Sequence, residues 1–159
     1  AMAPYHREGR RLRALSTLRE QDVSLACHPA GRPEVRADAV AVGWYPIDVH
    51  PSANGAPGFD LPTVPFQVPI GCLIPVRIRN LLAAGKGIGV THVANGCTWL
   101  HPIEWGVGEA AGLLAGFCRT RGLDPVEVGT DPWSLSEFGA VLDAEGAERS
   151  WPDEAFRAT

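Results

Sequence analysis

The chain has 159 residues, a formal charge of −4, 45% apolar residues and 20% charged residues. That length bounds it to one domain with a real core, and the acidic balance argues against nucleic-acid binding. No run of about 18 apolar residues is present, so no membrane span is expected, and the polar, basic start shows no signal-peptide pattern.

Ala1-Met2 reads as an expression scar followed by a start methionine, so the domain is placed at 3–152, with 153–159 as a frayed tail. In residues 4–23, arginines 10, 11 and 13 interleave with Leu12, Ala14 and Leu15, and Arg11–Leu15 predicts a strand with one wet face. Thr17 precedes Glu20 at capping-box spacing, which predicts a short helix or turn starting there. Residues 27–37 form a proline- and glycine-rich connector, and Asp38 to Tyr45 alternates as a strand with Val40, Val42 and Trp44 on one side. Asp48 and His50 follow at strand spacing, so an extended chain points both to one face. An acid beside an imidazole can hold its tautomer for proton transfer. The plain alternative is a surface turn before Pro51.

Residues 51–65 are dense in Pro, Gly, Ser and Asn and read as a loop, a candidate flap. Phe66 to Ile70 predicts a strand. Asn80 to Ala84 is a short apolar run that predicts a buried strand. It stops at Gly85, Gly87 and Gly89, and a polar, turn-like segment follows. A long helix is then expected, with Pro102 and Glu104 in its first turn and Ile103, Val107, Ala110, Leu114 and Phe117 on its buried face. Gly108, Gly112 and Gly116 make a second stripe, each costing about 1 kcal/mol against alanine, so something is expected to pack close to it. Basic residues and Gly122 stop the helix; Pro125–Val128 reads as short and extended; Asp131-Pro132 opens a second helix with Leu135, Phe138, Val141 and Leu142 inward. The fold class is therefore α+β, with a few strands, a long helix and a second terminal helix.

Cys27, Cys72, Cys97 and Cys118 are irregularly spaced, without C-x-x-C, and the five histidines add no ligand spacing. No metal is expected, and a cytoplasmic chain with reduced thiols is the reading.

The stretch Asn80-Leu81-Leu82-Ala83-Ala84-Gly85-Lys86, Thr91-His92-Val93-Ala94-Asn95-Gly96, Leu100-His101-Pro102-Ile103-Glu104-Trp105 and Gly108-Glu109-Ala110-Ala111-Gly112 resembles the C-terminal flavin-binding segment of FAD-dependent oxidoreductases of the glutathione-reductase-like superfamily. The likeness extends to Arg7-Glu8-Gly9-Arg10-Arg11-Leu12, to Pro46-Ile47-Asp48-Val49-His50-Pro51, to Phe66–Ile70 and to the end at Pro152. It implies a partial FAD/NAD(P)-binding-type fold with FAD as cofactor. Gly85, Lys86, Thr91 and His92 would line the ribityl and flavin path, and Pro102, Ile103 and Glu104 at the helix start would bracket the pyrimidine edge. Asp48, His50, His92 and His101 are the candidates for handling protons. The likeness departs at Trp99, where relatives have arginine, and at Gly106, where many have asparagine.

The phosphate fingerprint G-x-G-x-x-G is missing, and the helix begins too far beyond Gly89 to replace it. Two readings follow. The chain is a fragment or subunit of an FAD-dependent oxidoreductase with a small-molecule substrate, completed by an N-terminal partner chain or forming a homodimer. Alternatively it is a stand-alone binding or interaction module that kept the fold and lost FAD. A small hydrolase ranks lower, since no nucleophile motif is present.

Overall fold

A computed structural model describes residues 9–157; Ala1-Met2, the Arg7-Glu8 start of the arginine segment and Ala158-Thr159 lie outside the described residues. The fold is α+β. Two antiparallel two-stranded sheets stand apart, one pairing β1 (Ala39–Gly43) with β4 (Phe66–Pro69), the other pairing β2 (Ile47–Val49) with β3 (Phe59–Leu61). The helices are α1 (Glu20–Val23), α2 (His92–Thr98), α3 (His101–Arg121), α4 (Pro125–Thr130) and α5 (Pro132–Glu145).

The core forms where α3 crosses β1. β1 and β4 run in register from Gly43 opposite Phe66 to Ala41 opposite Val68. Gly43 is small by necessity: a Cβ there would sit 2.6 Å from the Phe66 ring and 2.8 Å from Ile103 Cδ1. Ile103, Val107, Ala110, Leu114 and Phe117 are all buried, so α3 presents the face its spacing predicts. Its far end rests on α5, with the Phe117 and Phe138 rings 5.6 Å apart. Gly122 closes α3 in the left-handed conformation at φ 69°, which glycine adopts without a Cβ clash. Asp131 caps α5 by accepting the Ser134 N–H at 2.8 Å.

Five local expectations are corrected. Arg11–Leu15 is extended but makes no regular strand. It is held by scattered bonds, Leu12 N–H to the Gly87 carbonyl and Leu15 N–H to that of Ile74, because its neighbours are irregular and include Pro75. Thr17 caps nothing: the chain stays extended through Leu18, and α1 is capped one residue later, where Asp22 accepts the Arg19 N–H. The 51–65 segment contains β3, whose pairing with β2 makes a hairpin. The polar segment after Gly89 is the helix α2, and Pro125–Val128 lies in α4. In α4, Asp124 accepts the Glu127 N–H while Glu127 accepts that of Asp124.

The sixth correction bears on function. Asn80–Ala84 is not a strand. Its backbone link to another segment, among the described residues, is Ala83 N–H to the Leu73 carbonyl at 2.9 Å. No described strand lies beside it to form a ladder, and Val76 to Leu81 are all exposed. The glycine stripe is likewise uncovered: the nearest atom to a Cβ on Gly108 would be the Ala84 carbonyl oxygen at 3.9 Å, and on Gly112 or Gly116 nothing lies within 4 Å.

Candidate functional site

The sequence-predicted residues fall into two groups on either side of the α2–α3 junction. The first sits at the start of α3. Leu100 is the N-cap without a side-chain bond, and Pro102 takes the first turn. Its missing N–H is harmless there because first-turn amides have no intrahelical partner. Lys86 reaches this helix start from the glycine loop, with Nζ 3.6 Å from Glu104 Oε1. His101 Nδ1 lies 3.8 Å from Glu104 Oε2, and its side chain is 87% exposed. Glu104 Oε1 is buried and accepts no hydrogen bond.

The glycine loop is placed by its own requirements. Gly85 has φ +152°, a conformation L side chains rarely adopt. Gly89 instead answers to space: a Cβ there would be 2.4 Å from the Ser16 carbonyl oxygen and 2.5 Å from Ala14 Cβ. Thr91 is occupied in capping α2. Its hydroxyl accepts the Ala94 N–H and donates to Glu20 Oε2 at 3.0 Å. The Glu20 carboxyl is held below its ordinary value by its own backbone N–H and by this Thr91 hydroxyl. His92 is the exposed first residue of α2. Of the three residues expected to bracket a ligand with main-chain donors, Pro102 has none and Glu104 gives its N–H to the Leu100 carbonyl at 2.9 Å. The Ile103 N–H is the remaining one, while the Ile103 side chain is in the core.

The second group is built on β2. His50 Nε2 lies 3.2 Å from Asp48 Oδ2, so the structure brings this pair together as their spacing predicts. The His50 ring meets Trp99 edge-on, at 5.7 Å between centroids and 66° between planes. Trp99 is the C-cap of α2, and its indole N–H donates to the Gly96 carbonyl. Neither periodicity nor spacing points to Trp99 and Gly96; the family resemblance marks Trp99 as a departure and includes Gly96, and the fold brings both to His50 and Asp48.

An open groove of ≈ 680 Å³ runs along the glycine face of α3, with Ala84, the residue before the glycine loop, in its lining. Leu82 and Ala84 form one wall and Gly108, Ala111 and Gly112 the other. At its far end Arg79 Nε bonds Asp124 Oδ2 at 2.7 Å. Among the described residues no three His, Cys, Asp or Glu side chains gather closely enough to hold a metal ion, and no helix is long and apolar enough to cross a membrane.

Residues 1–140 match the family model described as FAD dependent oxidoreductase. The chain belongs to the FAD-dependent oxidoreductase family. Membership points to an FAD-oxidoreductase-related function, and FAD binding is what the family implies. No curated protein and no solved structure matches the chain. The family match covers both residue groups and the groove and ends inside α5.

Proposed function

We propose that this chain is the ring-side and substrate-side part of an FAD-dependent oxidoreductase of the glutathione-reductase-like kind. In that reading a small-molecule substrate is oxidised or reduced against the flavin, and an N-terminal dinucleotide-binding part holds the ADP half. The observation that carries it is the start of α3, a 21-residue helix with a cation, Lys86, held beside its first turn. A helix start and an ammonium together favour negative charge.

The residues fit one end of FAD. Gly85, Lys86 and the Ile103 N–H would meet the ring and its ribityl chain, and the unbonded Glu104 Oε1 leaves an acceptor for a ring N–H. For the pyrophosphate, the described residues offer no cradle. The exposed run Val76–Leu81 and the open groove beside it support a second part docking there, a partner chain or another copy in the cytoplasm.

When bound, the flavin would supply hydride transfer. Lys86 and the helix start would offset charge that builds on the ring edge. Asp48 and His50 would hold or take the substrate's proton, and His92 and His101, both exposed, would exchange protons with solvent.

The test is FAD titration of the purified chain, alone and mixed with a dinucleotide-binding half. Absorbance near about 450 nm that stays with the protein on gel filtration supports the reading, and Lys86→Ala should weaken it. A colourless, folded protein under both conditions would overturn it. One observation favours the alternative of a non-catalytic module that lost FAD. Glu104, an anion, already sits at the helix start and pairs with Lys86, the place a ligand's negative charge would take.

A further inference from the structure

Asp48, His50, Trp99 and Gly96 form a closed ring of contacts that ties the β2–β3 hairpin to the α2–α3 junction. Asp48 Oδ2 meets His50 Nε2 at 3.2 Å, and the imidazole meets the Trp99 ring edge-on. The indole N–H is anchored on the Gly96 carbonyl. Gly96 closes the ring: a Cβ there would lie 2.8 Å from the Asp48 carbonyl oxygen and 3.0 Å from its nitrogen.

We propose that Trp99 is a positioning residue for His50. It fixes the imidazole plane so that Nε2–H stays on Asp48 and Nδ1 carries the lone pair. This rests on the reading of Asp48 and His50 as the proton-handling pair. A carboxylate beside one ring nitrogen selects the tautomer with its proton there, which makes the other nitrogen the base. His50 stands one residue beyond β2 with its side chain 48% exposed, a place where a histidine ordinarily samples several rotamers. An edge-to-face aromatic contact is directional, so the indole restricts that sampling. In the step this prepares, a substrate O–H or N–H bond breaks and its proton forms a bond to Nδ1. The electron pair stays on the substrate atom, and Asp48 offsets the imidazolium charge. The proton then leaves to solvent through the exposed half of the ring.

The test needs neither cofactor nor substrate. The chain is labelled with ¹⁵N-histidine, and long-range ¹H–¹⁵N correlation spectra read the tautomer of His50, assigned with His50→Gln. The wild-type chain should show the Nε2–H form. Trp99→Phe, which keeps an aromatic edge but loses the indole N–H, should reduce that preference. Trp99→Leu should reduce it further, as should Asp48→Asn with Trp99 intact. Trp99→Phe and Trp99→Leu spectra that match the wild type would overturn the proposal, and Trp99→Phe decides alone if the leucine variant does not fold. The underlying reading fails separately, if His50→Gln leaves turnover of FAD-loaded protein unchanged while Trp99→Leu still disturbs the tautomer.

Discussion

The backbone of Asp48 lies directly against Gly96, closer than any side chain at residue 96 allows. The contact joins two elements far apart in sequence, β2 and α2, main chain to main chain. Gly96→Ala should therefore act as overpacking and destabilise by about 1–3 kcal/mol. Urea unfolding followed by circular dichroism measures it, and an unchanged midpoint would show that the hairpin yields freely.

The other glycines divide by cause. Gly85 has open space around it and a φ of +152°, so Gly85→Ala should cost more than about 1 kcal/mol through backbone conformation alone. Gly112 is helical with nothing within 4 Å, so Gly112→Ala should stabilise the isolated chain by roughly 0.5–1 kcal/mol. The same methyl should weaken binding of any second part along the groove. Thermal melts of both variants, with and without a dinucleotide-binding half, separate the two effects.

Leu114 is fully buried in the middle of α3. Its truncation to alanine should cost about 2–5 kcal/mol, because the packed core around it collapses only partly onto the void. A loss under 1 kcal/mol, on the scale of a surface change, would place the core elsewhere.

Stability should fall on the acid side through the helix caps. The Asp124 and Asp131 carboxyls are held below their ordinary value of 3.8, first by the backbone N–H groups they accept from Glu127 and Ser134. Asp143 is held low by Arg149. A depressed carboxyl stabilises the fold at pH values above its unfolded pKa, and the contribution is lost as pH falls through the lower folded value. Loss should begin near about pH 4 and deepen below it. Asp124→Asn keeps an acceptor for the cap but removes the titrating charge and the contact with Arg79, so its acid limb should be shallower.

Thiol chemistry should single out Cys27, the exposed cysteine. Burial pushes Cys72 and Cys97 up to about 12 and also raises Cys118. At pH 8 a disulfide reagent should label one thiol quickly and the other three only on unfolding. Two fast thiols would mean that the groove end at Cys118 opens.

The elements read best from sequence were those whose own residues decide them. The α3 face from Ile103 to Phe117, the Pro102 start and the Asp131 cap need no tertiary partner to be recognised. Asp124-Pro125 carries the same cap signal as Asp131-Pro132 and was open to the same inference; its short length made Pro125–Val128 read as extended. Asn80–Ala84 failed for a different reason. An apolar run records what a strand would bury, but a strand exists only beside another, and no described segment supplies that ladder. For the site, the two-residue spacing of Asp48 and His50 was legible because an extended chain fixes which face they share. Trp99 stood out only as a departure from the relatives' arginine, and its contact with His50, like that of Gly96 with Asp48, was not legible, since α2 is placed against β2 by packing.

The segment after α5 turns back over the first sheet. Gln67 Nε2 donates to the Arg149 carbonyl at 2.6 Å, Trp151 Nε1 to the Phe66 carbonyl at 3.0 Å, and Trp151 packs edge-on against Trp44. All of this lies beyond residue 140, where the family match stops. Trimming the protein to its recognisable homology would lay bare one rim of a two-stranded sheet, the kind of surface that recruits further strands. The stretch that matches the family is thus shorter than the stretch this molecule uses to hold Phe66 and Gln67.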